Sequence, residues 1–318
     1  MFMVLLRIAI GWHFFYEGAW KIEQGNWTAT QYLIASSGPF RNVFRWMVRD
    51  VDGLERMTKA SIEKRIDERV RVLTKHYGLS NEQQKELAAF AEVKKNGSRD
   101  NPGDTVFVAW LFDDAYPGAA EFKKQLDDYR KLLSEIEPLE ARKNPTAFEV
   151  ERLTYMYQKK SQARTALLGL VEGPLKAVDA FVLSRVTPQQ LAAGPAPRER
   201  SQTAAIDFMN MWALTLVGAC LMLGLFTRLA CVGAAALLLM YYLAMPPWPG
   251  LPPNPESEGH YLYVNKNVIE LLAVLMLATS GAGRWAGLDA YISAFLRRRG
   301  ATPQPATPQP QSEPQGRR

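Results

Sequence analysis

The sequence predicts an all-α protein: a four-transmembrane-helix bundle with a helical extramembrane insert between the first and second spans. Three observations predict it. Four apolar stretches have about the length of a membrane span, the polar residues between the first two carry helical periodicity, and charge divides unevenly between the two kinds of sequence. Averages conceal the division, because 318 residues with 47% hydrophobic, 22% charged and a formal charge of +6 describe an ordinary soluble protein. Residues 21–205 nevertheless hold 29 of the 38 Lys and Arg and 25 of the 32 Asp and Glu.

Residues 2–20, FMVLLRIAIGWHFFYEGAW, form the first span, interrupted by Arg7, His13 and Glu17. A cleaved signal peptide is the rival reading. Against it, no basic residue precedes the apolar run, and a histidine and a glutamate stand where an h-region is purely apolar. Residues 22–50 follow with Trp27, Tyr32, Phe40, Phe44 and Trp46, the aromatic enrichment of a segment at the membrane interface.

The insert is predicted to be helical. Leu54, Met57, Ile62, Ile66, Val70, Leu73 and Tyr77 recur at helical spacing, with Gly78 placed as a stop. Ser80 and Gln83 form a capping box that opens the next helix through Leu87 and Phe90. A further pattern runs from Phe122 to Leu139, and another follows Pro145 through Phe148, Leu153 and Tyr157 to Ala166–Val171. Between them NGSRDNPGD (96–104) reads as a loop, and VFVAWLF (106–112) as a short strand or a buried turn. GPAPRER (194–200) reads as a linker into the second span.

From Ile206 to Met245 only Asp207 and Arg228 are charged, which gives two spans of about twenty residues turning around Gly224–Arg228. The last span is LYVNKNVIELLAVLMLATS (262–280), with Glu270 inside it. The predicted domains are therefore a first span and outer interfacial loop (1–45), the helical insert (46–200), spans two to four (201–296) and a disordered Pro/Gln-rich tail (297–318).

Four spans place both termini on one side. That side holds Arg7, Arg228, Arg284 and Arg297–Arg299, against Lys21, Arg198, Arg200 and Lys266 on the other, so the positive-inside rule favours cytoplasmic termini and residues 21–205 outside the cytoplasm. The positive charge is read as topology and contact with the lipid bilayer, not nucleic-acid binding, for which no basic-aromatic motif is present. Three histidines, His13, His76 and His260, form no metal-ligand cluster. Cys220 and Cys231 lack a CxxC spacing and stand among small residues; they read as packing residues, with a redox pair as the alternative.

Ionisable residues inside spans are costly and so are functional candidates. His13 and Glu17, spaced i,i+4, share a helical face. At 1.5 Å per residue Glu17 lies about 5 Å, and His13 and Glu270 about 10 Å, below the outer surface. Asp207 and Asn210 open the second span at the same end. Together His13, Glu17 and Glu270 can make a proton relay or a site that hydrogen-bonds a quinone head group; a structural interhelical bond is the plain alternative.

These residues also resemble a known family. LLRIAIGWHFFYEGAWKI and WTATQYLIASSGPF look like the first span and outer loop of the DoxX/DoxD family of four-helix membrane proteins. GLFTRLACVGAAALLL looks like its inner hairpin, and NKNVIELLAVLMLATSGAGRWAGLDAYI like its last span and ending. The matching residues include Arg7, Gly11, His13, Glu17, Gly18, Gly224, Arg228, Asn267, Gly283 and Asp289, within about residues 1–45 and 205–292. The resemblance implies an integral protein of a prokaryotic cytoplasmic (inner) membrane, with a redox-linked role. One branch is similar to the membrane subunit of a thiosulfate:quinone oxidoreductase. Asn267 thereby joins Asp207 and Asn210 as a candidate for binding quinone. No haem, flavin or iron–sulfur motif is present, so a redox cofactor would be diffusible or belong to a partner. Short family members lack the insert. The second reading is accordingly a non-catalytic anchor whose insert docks a soluble extracytoplasmic partner.

Overall fold

The computed structural model describes residues 1–97, 107–142, 144–253 and 261–300, with side chains as far as Phe295. Its elements are all helical. In chain order they are α1 (Phe2–Gln24), α2 (Thr30–Ile34), α3 (Arg41–Trp46), α4 (Lys59–Tyr77), α5 (Asn81–Asn96), α6 (Val108–Phe112) and α7 (Pro117–Glu140). Then follow α8 (Ala147–Arg185), α9 (Pro188–Leu191), α10 (Ala204–Leu223), α11 (Thr227–Ala244), α12 (Lys266–Thr279), α13 (Ala282–Trp285) and α14 (Leu288–Gly300). The chain divides into two compact units: Met1–Trp27 with Phe208–Met240 and Lys266–Arg318, and Thr28–Asp207 with Tyr241–Asn265.

In the first unit the buried residues of α1 are Arg7, Ile10, Gly11, Phe14 and Gly18, a seam at spacings of three and four that faces the neighbouring helices. The stripe beside it, Leu5, Ile8, Trp12, Tyr16 and Trp20, is exposed and apolar. Glycines set the spacing between α1 and α10. A Cβ at Gly218 would lie 2.3 Å from the Phe15 amide nitrogen, and one at Gly11 would lie 2.8 Å from that of Met222. Only helices lacking those Cβ atoms can bring their backbones so close.

Among the described residues two helices, α10 and α11, are long and apolar enough to cross a membrane. The turn between them is the expected one, with Gly224 at φ 64° and Phe226 at φ 45°. The outer two helices differ from the apolar pair. Helix α1 spans 23 residues, about 35 Å, but carries Arg7, Glu17, Lys21 and Glu23. Helix α12 has only 14 residues, about 21 Å, because residues 261–265 stay irregular and Tyr263 takes φ 62°.

The second unit is built from its own core. Ile62, Ile66, Leu73 and Tyr77 of α4, Leu87 of α5, Phe122, Leu126 and Tyr129 of α7, and Leu167, Val171, Val178 and Val182 of α8 form one buried cluster. The helical pattern of the insert thus becomes its inward face. Gly78 ends α4 in the left-handed conformation (φ 56°), and the Ser80–Gln83 capping box opens α5. Of the two forms open to VFVAWLF, the structure takes the buried turn and not the strand: Val108–Phe112 is a single turn of helix, with Val108, Ala109 and Leu111 buried. The pattern after Pro145 is one helix, α8, of 39 residues and about 58 Å, opened by a Thr146–Glu149 capping box and continuing past Val171 through Pro174. The 96–104 loop, apart from Asn96 and Gly97, and residues 301–318 fall outside the described residues; the tail expected to be disordered from residue 297 is helical as far as Gly300, the end of α14.

GPAPRER is strapped to α4 and does not hang free. Arg65 meets Glu199 in a two-pronged ion pair, Arg69 donates to the Pro197 carbonyl, and a ring nitrogen of His76 lies 3.1 Å from the Gly194 carbonyl. Residues 28–45 belong to this unit as well, so the boundary expected at residue 45 falls within it. Arg45 explains why: its guanidinium reaches both carboxylate oxygens of Glu140 at 2.9 Å and the Ser36 carbonyl at 3.1 Å, and Tyr157 donates to the same carboxylate. Gly38, at φ 78°, sits against Pro246 and Leu251.

The close approach of α1 and α10 predicts that Gly218→Ala lowers the thermal stability of the purified protein by about 1–3 kcal/mol, the usual cost of overpacking. Gly169→Ala, in α8 with nothing within 4 Å of its Cβ position, is the contrast and should stabilise by about 0.5–1 kcal/mol. Equal midpoints for the two variants would remove the packing argument.

A second expectation concerns alkaline pH. Burial, reinforced by Asp52 at Tyr129 and by Glu140 at Tyr157, pushes both phenols above their ordinary value of 10.0. A raised folded value contributes stability that is present below the unfolded value and lost as pH rises through the folded one. Thermal midpoints followed by circular dichroism should therefore fall above about pH 10. The Tyr129→Phe/Tyr157→Phe variant should show a shallower fall; an identical slope would contradict it.

Candidate functional site

Two of the candidate residues meet on the surface of the first unit. His13 lies near the middle of α1, and Glu270 one turn into α12. His13 Nδ1 lies 2.8 Å from Glu270 Oε1. The two side chains keep 48% and 25% of their surface exposed, so the pair opens outward and is not sealed in the helix core. His13 is brought there by register: it sits between the buried seam of α1 and its exposed apolar stripe, on the side that packs against α12. Asn267 precedes Glu270 by three residues on the same helix and is half-buried.

Glu17 does something else. It forms an ion pair at 3.2 Å with Lys21, whose ammonium also lies 4.9 Å from the centre of the Trp27 ring. Helical spacing allows His13 and Glu17 to pair, but each bonds elsewhere: His13 to another helix, Glu17 one turn down its own.

A histidine bonded through Nδ1 to a carboxylate is held in one orientation, with Nε2 left to face a ligand. With Glu270 ionised, Nδ1 carries the proton that is shared and Nε2 is an acceptor; once the ring is protonated Nε2 becomes a donor. The pair can thus take or deliver a proton at Nε2 while the carboxylate offsets the ring's charge. A stack of Trp12 and Tyr16, with ring centroids 6.0 Å apart, flanks it one residue before His13 and three after.

Asp207 and Asn210 belong to different surroundings. The Asp207 carboxylate accepts from the Ala29 amide at 2.8 Å and from the Thr203 hydroxyl at 2.9 Å. Thr28, Thr30, Ser201 and Thr203 complete a hydroxyl cluster within the second unit, so this carboxylate joins chain segments there. Asn210 is buried in the first unit. Cys220 and Cys231 are free thiols, Cys231 fully buried.

Two charges do more for the first unit than its sequence suggests. Arg7, whose place near a span end would suit a head-group anchor, is only 1% exposed; its guanidinium donates to the carbonyls of Ala282 (2.9 Å) and Ala286 (2.7 Å). Its place on the seam with Gly11, Phe14 and Gly18 is the signal that assigns it inward. Asp289 accepts from the amides of Phe226 (2.7 Å) and Thr227 (2.9 Å), capping the start of α11, and its own amide donates to Gly224. No local pattern announces that bond, since the partners are more than sixty residues apart.

Replacing Arg7 by Met should leave the buried Ala282 carbonyl and the part-buried Ala286 carbonyl without their donors, and Arg7→Lys should recover less than half the loss because one ammonium cannot span both. The expected cost is about 2–5 kcal/mol in the thermal stability of the detergent-solubilised protein; full recovery by lysine would exclude the two-carbonyl role. No family model, no curated protein and no solved structure matches the chain.

Proposed function

We propose that the chain is a four-span membrane protein of DoxX/DoxD type, serving as a quinone-linked redox subunit of a prokaryotic inner membrane. In this reading α1 and α12 cross the bilayer beside α10 and α11. The apolar exterior supports it. Leu5, Trp12 and Tyr16 on α1, and Ile269, Leu272 and Leu275 on α12, are exposed as fully as Trp212 and Leu216 on α10. Lipid is the solvent in which such a surface carries no hydrophobic cost. Termini on the cytoplasmic side and the helical insert on the other follow from the basic residues at the span ends.

The observation that carries the functional reading is the outward-facing His13–Glu270 bond. Two-electron reduction of a quinone consumes two protons, and each must be delivered to a ring oxygen. The residues present fit that head group: a nitrogen able to donate or accept, backed by a carboxylate, on an apolar and aromatic surface open to the side from which a lipid-soluble molecule arrives. His13 would hydrogen-bond one ring oxygen and pass one proton to it, with Glu270 holding the imidazole in register and replenishing that proton, while the other oxygen would take its proton from water. Electrons come from a sulfur compound or a partner protein, and the quinone is the acceptor.

Membranes containing the protein with its native partners should reduce decylubiquinone. His13→Ala and Glu270→Gln should each lower turnover by about 10²-fold or more at unchanged protein level, the range lost with a general acid–base group. Glu17→Gln, whose carboxylate is engaged by Lys21, should lower it less. Equal turnover in the His13 and Glu270 variants and the parent would remove the proposed site.

A further inference from the structure

The turn between α10 and α11 forms one wall of an open groove of about 400 Å³, within the range of about 300–1,000 Å³ typical of small-ligand sites. Its other wall comes from Ser280–Arg284 and from Asp289 and Ser293 of α14. Two arginines, Arg228 and Arg284, line it and are exposed, and among the described residues neither makes an ion pair. Arg7, at the same end of the unit, is spent on backbone carbonyls. The one acid in the groove, Asp289, has both carboxylate oxygens taken by the amides of Phe226 and Thr227. The groove therefore presents two unpaired positive charges with its single negative charge already bonded.

Its rim is apolar. Phe226 is 59% exposed, Leu229 72% and Trp285 68%. Phe226 holds φ 45°, a left-handed backbone that costs a bulky residue free energy, and the Asp289 bond to its amide helps to hold it there. The consequence is an aromatic ring standing at the edge of a cationic groove, at the end of two helices of membrane-spanning length. Charge and rim together match a molecule with a phosphate at one end and hydrocarbon at the other.

We propose that this groove binds the phosphate of an anionic phospholipid, with Arg228 and Arg284 as its ligands and Phe226, Leu229 and Trp285 against the adjoining glycerol and upper acyl chain. The inference rests on the reading of α10 and α11 as membrane spans, and on nothing about quinone. A bilayer is the source of the phosphate, because a free anion has no use for the apolar rim.

Full-length protein extracted in mild detergent should retain phosphatidylglycerol in preference to phosphatidylcholine in native mass spectrometry. The Arg228→Gln/Arg284→Gln variant should remain in the membrane fraction and lose that preference by about tenfold to thirtyfold, the scale expected for two basic residues at an anionic surface. The Arg228→Lys/Arg284→Lys variant, which keeps both charges, should retain most of it and shows that the loss does not come from misfolding. Equal retention of the two lipids by the parent, or an undiminished preference in the glutamine variant, would overturn the proposal. So would displacement of the lipid by millimolar inorganic phosphate, which would make the groove a soluble-anion site. Absence of the parent from the membrane fraction would overturn the span reading beneath it.

Discussion

Two helix backbones touch because three residues have no side chains. Gly11, Gly18 and Gly218 allow α1 and α10 to approach until the Cβ of any other residue would collide with main-chain atoms. On the proposed membrane reading this contact matters more than apolar burial, since hydrocarbon outside is as favourable to leucine as hydrocarbon inside. The contact also fixes the rotation of α1. With Gly11 and Gly18 facing α10, His13 falls to the side of α12, and its bond to Glu270 is a consequence of that rotation.

Charges then lock what the glycines bring together. Arg7 and Asp289 both bond main-chain groups that helix breaks leave open: carbonyls around α13 and amides at the start of α11. An unpaired main-chain group in an apolar surrounding costs several kcal/mol, so each side chain allows the chain to turn where an uninterrupted helix would otherwise be needed. Short helices and a left-handed Phe226 are tolerated because of them.

Much of this was legible in the sequence, and unevenly. Helices in the insert were plain, since Ile62, Ile66, Leu73 and Tyr77 repeat at the period of the structure they form and Ser80–Gln83 signals a start. The fate of VFVAWLF was not: a short apolar run has no period, and burial by neighbours decides its form. Continuity of α8 through Pro174 was hidden for a related reason, because local breaker signals yield to packing on both sides of the proline. Among candidate site residues, His13 and Glu270 could be named one by one as ionisable groups in apolar stretches. An interhelical bond could be named only as an alternative, and the diversion of Glu17 to Lys21 could not be read, because spacing along one helix says what is possible and the neighbouring helix chooses. Asp207 illustrates the same limit, with its carboxylate drawn to Ala29, 178 residues away in sequence.

The hydroxyl cluster of the second unit has a meaning for chain length. Thr28 lies 2.8 Å from Ser201 and 3.0 Å from Thr203, oxygen to oxygen, so the two ends of the stretch between them meet at almost one point. Closing a loop costs only about 0.6 kcal/mol for each doubling of its length, so some 170 residues between those ends cost roughly 2–3 kcal/mol more than a ten-residue turn. The stretch between those ends is therefore a loop of low closure cost, within a unit that also takes in Tyr241–Asn265. Lengthening it, trimming it or exchanging it leaves the two clasped ends, and the helices they lead to, with nearly the same closure entropy to overcome.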